Sequence, residues 1–125
     1  MPGSLPTRKG QPMGTRAANG LPVIIVALPP EIDATNARQA YDKLNWALAS
    51  GASGASVVVA DLTATRFCDS AGIRCMLMAH NRAVAVGAQL RLAVSPGGPV
   101  AQAVELMGVD QLLAVYANTS DATAG

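Results

Sequence analysis

The sequence predicts an α/β domain built on a mostly parallel sheet. Strand-like apolar runs alternate with segments of helical periodicity, in the order strand–helix–strand–helix–strand–helix–strand. That order is the mark of βα units joined by crossovers. Leu21 to Leu28 and Ser56 to Leu62 are apolar almost throughout, as strands covered on both faces are. The chain has 125 residues, half of them hydrophobic, which suits one domain with its own core. No internal repeat is visible.

Each element has a local cause. Residues 1–16, with three prolines and three glycines, read as a flexible tail. Asn19-Gly20 is a hairpin turn signal, and Arg16 to Ala18 before it reads as a short edge strand. Leu21 to Leu28 is the first long strand, stopped by Pro29-Pro30. Asp33 or Thr35 can cap the helix that follows, from about Ala34 to Ser50. Ala37, Tyr41, Leu44 and Leu48 share one of its faces, and Trp46 lies opposite. Gly51 to Ser56 reads as a turn, Ser56 to Leu62 as a central strand and Thr63 to Asp69 as a loop.

A helix from Ser70 to about Val86 comes next, ended by Gly87. Ile73, Met76, Leu77, His80 and Val84 form its inner face, with Arg74, Cys75, Met78 and Arg82 outward. Gln89 to Val94 alternates as a third parallel strand, and Ser95 to Pro99 is a turn. Val100, Ala103, Val104 and Met107 line a short helix closed by Gly108. Leu112 to Val115 is a last strand. The domain is thus expected over residues 17–117, with a flexible tail at 118–125.

The bulk properties narrow the function. Formal net charge is +1, and the nine Lys and Arg are scattered, whereas nucleic-acid binders show a basic excess or stripe. Neither nucleic acid nor an anionic membrane is an expected partner. Cys68 and Cys75 have the spacing of neither a redox pair nor a zinc half-site, and two thiols beside an adequate core suggest a reducing compartment. No apolar run approaches the roughly 20 residues of a membrane helix, and residues 1–20 lack a signal-peptide core. A cytoplasmic location is expected.

The chemistry concentrates at residues 61–72. A buried strand ends in Asp61-Leu62-Thr63, a short loop follows, and Asp69-Ser70 opens a helix. Sites of parallel sheets gather at the carboxyl ends of strands, where Asp33, Asp61 and Ser70 should meet. Ser70 reads first as an N-cap, worth typically about 1 kcal/mol to its helix. Capping does not exclude a second role, because the positive end of a helix tolerates a phosphate. A phosphate beside Asp69 would add about −1.5 to −2 charges to an already acidic surface.

These residues resemble the STAS domain, and in particular the bacterial anti-sigma factor antagonists. The resemblance rests on Pro30-Glu31-Ile32-Asp33, on Val58 to Thr63, and most specifically on Phe67-Cys68-Asp69-Ser70-Ala71-Gly72-Ile73. It covers roughly residues 20–117 and implies a STAS-type fold, with four or five strands and helices mainly on one face. It also implies a switch. The unphosphorylated antagonist binds an anti-sigma factor that is itself a serine kinase, releasing a sigma factor to RNA polymerase. Phosphorylation of the residue matching Ser70 ends the contact, and a phosphatase resets it. The partner surface is then expected at Asp33, Asn36, Asp61, Thr63, Asp69, Ser70, Gly72, Arg74 and Cys75. The chain departs from the family pattern at Pro30, Cys68 and Arg74, and the final helix looks truncated after Ala117.

Two other functions compete with this reading. A STAS domain can also serve as a scaffold or regulatory subunit of a stress-signalling or transport complex. A small serine hydrolase would need Gly two residues before the serine, where Cys68 stands. The lone His80 lies ten residues along the same helix, about 15 Å away, so it cannot activate Ser70. No enzyme, metal or cofactor is expected. A Cys68–Cys75 disulfide exceeds the usual Cα reach of about 7 Å. An exposed Cys75 could tune binding by oxidation, and Trp46 could anchor a partner or pack under the N-terminal tail. Ser95 to Pro99 lacks the lysine and spacing of a phosphate loop.

Overall fold

The computed structural model describes residues 16–50 and 56–125. Four strands, β1 (Val23–Ala27), β3 (Val57–Asp61), β5 (Gln89–Ala93) and β6 (Ala114–Tyr116), form one parallel sheet in the order β1-β3-β5-β6. A separate two-stranded parallel pair joins β2 (Glu31–Ile32) to β4 (Phe67–Cys68). The helices are α1 (Ala37–Ser50), α2 (Ser70–Val86), α3 (Pro99–Leu106) and α4 (Thr119–Ala124), with a 3₁₀ turn at Val109–Gln111.

The sheet divides the core in two. On one face Val58, Ala60, Leu90 and Leu92 meet Leu44 and Leu48 of α1, Ile73, Met76 and Ala79 of α2, and Val100 and Val104 of α3. Val57, Val59 and Ala93 face the other way, onto Ala17 and Ala122 of α4. Alternate side chains of a strand point to opposite faces, so β3 serves both clusters, and Val57, Val58, Val59 and Ala60 are all 0% exposed. The expected architecture is present: three helices cover one face and only α4 the other.

The elements match closely where the signal was local. Gly87 ends α2 at φ 76°, and its N–H donates to the carbonyls of Ala83 and Val84. Gly20, at φ 84°, turns the hairpin that leaves Arg16 bridged antiparallel to Pro22, with no longer strand among the described residues. Gly51 to Gly54 and Ala55 of the expected turn lie outside the described residues. The last strand sits at Ala114–Tyr116, slightly later than its apolar run suggested.

Other expectations are corrected. β1 is not covered on both faces: the strand order places it at the sheet edge, and Ile25 is 49% exposed. α1 starts at Ala37 because an Asp33 turn occupies residues 34–36. The stretch 63–69 is not all loop, since Phe67–Cys68 pairs with β2. In place of a flexible tail after Ala117, Asn118 caps α4 by accepting from the Asp121 N–H at 2.7 Å, and Ala122 and Thr123 are buried. Buried Arg91 of β5 donates to the Ala122 carbonyl at 2.8 Å and holds that helix down. On α2, Val84 is exposed and Cys75 buried, the reverse of the expectation. α1 packs beside α2, so the buried stripe widens from the sheet side toward Cys75. Met107 of the α3 face is likewise exposed.

Candidate functional site

The β2–β4 pair assembles the site. Pro29-Pro30 ends β1, and the Pro30 carbonyl accepts from the Arg66 and Phe67 N–H groups at 2.7 and 3.3 Å. The Thr65 hydroxyl donates to the Pro29 carbonyl at 2.8 Å, and the Asp69 N–H donates to Ile32 at 3.1 Å. The segment bearing Asp33 is thereby stitched to the one leading into Ser70. No sequence signal marked Thr65 or the Pro30 carbonyl, because the bonds join residues some 35 positions apart.

The helix cap is Asp69, not Ser70. Asp69 is extended at φ −87°, ψ −171°, and its Oδ1 accepts from the Ala71 and Gly72 N–H groups at 2.9 and 3.2 Å. Both residue types are good caps, but only the residue just outside the helix can hold that conformation. Ser70 becomes the first helical residue. It is exposed, and its hydroxyl has no hydrogen-bond partner among the described residues.

The acids around it are braced. Asp33 Oδ1 accepts from the Thr35 hydroxyl and, at 2.9 Å, from the Thr35 N–H. The hydroxyl bond first, then the N–H, holds the Asp33 carboxyl below its usual range. Asn36 is a loop staple: its Oδ1 accepts from the Asp33 N–H at 2.9 Å and its Nδ2 donates to the Glu31 carbonyl at 2.8 Å. Asp61, at the end of β3, accepts from the Thr63 N–H and hydroxyl at 3.0 and 2.6 Å. The Thr63 carbonyl accepts from the Ser95 hydroxyl at 2.9 Å, tying in the next loop. These carboxylates therefore present preorganised oxygens.

Two expected contact residues face inward. Gly72 is buried, and a Cβ there would run into Cys68 Sγ and come within 2.9 Å of Ile32 Cγ2. It is a glycine so that α2 can approach the β2–β4 pair. Cys75 is 3% exposed, so it cannot meet a partner directly. Burial, then its neighbours Cys68 and Asp42, pushes its thiol up to about 12. Burial, then Asp69, pushes Cys68 up to about 11. Both are free thiols, Cys68 partly and Cys75 fully buried, and burial disfavours the reactive thiolate form.

The edge thus gathers Asp33, Asp61, Thr63, Asp69, Ser70 and outward-facing Arg74. Phe67, 49% exposed beside this cluster, was not foreseen; its place just before Cys68-Asp69-Ser70 was the only available hint. Trp46 is elsewhere, 73% exposed over a groove of about 560 Å³ between α1 and β1. Among the described residues no three His, Cys, Asp or Glu are placed to hold a metal ion. No helix among them is long and apolar enough to cross a membrane.

A parallel sheet with a capped helix opening at its carboxyl edge defines the class. Residues 16–122 match the family model of the STAS domain, and the chain belongs to that family. Among solved structures, it resembles a candidate anti-sigma factor antagonist from Thermotoga maritima, with a TM-score of 0.67 and 20% identity. The match covers 80% of this chain and 83% of that one, and shows a shared fold. No curated protein matches the chain.

Proposed function

We propose that this chain is an anti-sigma factor antagonist controlled by phosphorylation of Ser70. In this reading the unmodified protein binds an anti-sigma factor that is also a serine kinase, and a sigma factor is released. The kinase then phosphorylates Ser70, the contact ends, and a phosphatase restores it. The observation that carries the reading is the state of Ser70. It is exposed on the first turn of α2, and Asp69 caps the helix in its place. The hydroxyl is therefore available for transfer chemistry without loss of the cap.

Electrostatics supplies the switch. A phosphate adds about −1.5 to −2 charges beside Asp69, on an edge that also carries Asp33 and Asp61. An interface fitted to a neutral hydroxyl would be opposed by repulsion and desolvation, with no refolding needed. Asp33, Asp61, Thr63, Asp69 and Arg74 would form the contact, with Phe67 as an apolar anchor. The protein has a binding role and no catalytic one: His80 lies about 15 Å along the helix from Ser70, too far to act as its base. The partners are proteins in the cytoplasm, not nucleic acid or membrane.

The test is to incubate the protein with ATP and each anti-sigma-type serine kinase of the source genome, and to locate phosphate by mass spectrometry. Incorporation at Ser70, abolished in Ser70→Ala, supports the reading. Ser70→Ala should also retain the kinase in a pull-down after ATP is added. Absence of incorporation, or incorporation that survives the substitution, refutes it.

A further inference from the structure

We propose that Arg74 is the built-in counter-ion of a phosphate on Ser70, so that the modified state is a salt-bridged pair on the first turns of α2. This rests on the phosphoacceptor reading above. Ser70 opens α2 and Arg74 stands four residues on, and residues at that spacing are neighbours on one helix face. Long side chains on a helix lean back toward its N-terminus, which directs the Arg74 stem toward Ser70. Both residues are exposed.

Arg74 is also uncommitted. Among the described residues Arg16 bonds the Gly20 carbonyl, Arg38 pairs with Asp42, and Arg66 with Glu31. Arg82 bonds Asn45, and Arg91 bonds Ala122 and Gln89. Only the Arg74 guanidinium has neither a hydrogen bond nor an ion pair there. Asp69 spends Oδ1 on the helix cap, and no ion pair joins its carboxylate to Arg74. A hydroxyl offers a guanidinium little, whereas a phosphate offers three strong acceptors that suit its planar fork. Modification therefore changes the surface twice: a dianion appears, and the positive charge of Arg74 is withdrawn from any partner carboxylate. The pair favours the dianion and so lowers the phosphate's second pKa.

The test uses the full chain with phosphoserine genetically encoded at position 70, titrated by phosphorus NMR. Arg74→Ala should raise the phosphate pKa by about half a unit, a roughly threefold change in the ratio of dianion to monoanion. Arg74→Lys should recover part of the shift, and salt should shrink it. Arg82→Ala, two turns further and engaged with Asn45, should leave the pKa in place. Arg74 is a surface residue, so its substitution should leave the fold intact, which circular dichroism checks. A pKa unchanged in Arg74→Ala, or shifted equally in Arg82→Ala, overturns the pairing. Because the phosphoserine is encoded, this titration needs no kinase. Failure of kinases to modify Ser70 would instead sink the reading beneath it, through the mass-spectrometric test above.

Discussion

Replacing Asp69 by alanine should destabilise the protein, while replacing Ser70 should not. Asp69 Oδ1 accepts two N–H groups, at 2.9 and 3.2 Å, that have no partner inside the helix. Loss of an N-cap side chain costs about 0.5–2 kcal/mol. Its charge, at the positive end of the helix dipole, adds about 0.3–1 kcal/mol at an exposed site. The two contributions overlap, so Asp69→Ala should lose about 1–2 kcal/mol. For a domain of this size that lowers Tm by roughly 4–9 °C. Asp69→Asn keeps the acceptor and gives up the charge, so it should lose about half as much or less. Ser70→Ala removes a hydroxyl without a partner and should stay within about 0.5 kcal/mol of the parent. Urea and thermal unfolding of the three variants measure this directly. The reasoning fails if Ser70→Ala is the costly change, or if Asp69→Asn is as damaging as Asp69→Ala.

Further predictions concern packing and titration. Gly72→Val should cost about 1–3 kcal/mol by overpacking against Cys68 and Ile32; a second change, Cys68→Ala, should recover part of this in urea melts, and a neutral Gly72→Val would contradict the close approach. Cys68 and Cys75, with thiols near 11 and 12, should react with a disulfide reagent at pH 8 far more slowly when folded than in urea; equal rates would show that they are not buried. Asp33 should titrate below 3.8 in the folded protein. A depressed carboxyl supports folding above its unfolded pKa and loses that support as pH falls through the folded one. The Asp33 contribution should therefore be present at neutral pH and fade below about pH 4. Thr35→Ala should move its NMR titration back toward the ordinary value, and no movement would remove Thr35 as the cause.

Much of the architecture was legible because its signals are local. A run such as Val57 to Ala60 needs no distant information to read as a buried strand. Gly87 must stop α2, since its left-handed backbone suits glycine and little else. The acids around Ser70 could be placed at one edge because parallel strands present their carboxyl ends together.

What stayed hidden depends on contacts between distant segments. β1 reads like a central strand, and only the strand order makes it an edge. α4, six residues of polar and small character, has no apolar stripe to announce it; Arg91, some 30 residues earlier, supplies its anchor. Cys75 was expected outward because helical periodicity describes one buried face, and it cannot foresee a second helix packed alongside.

The sequence by itself determined the alternation of the four main strands with α1, α2 and α3, the parallel sheet and the edge that carries Ser70, since each follows from short-range pattern. Only the tertiary structure decided which residue caps α2 and which of the candidates look outward. Capping turns on one residue's backbone angles, and exposure turns on what packs against each face. Both are settled when the β2–β4 pair draws Asp69 into place and closes over Gly72, leaving Ser70 and Arg74 in solvent on the same helix face.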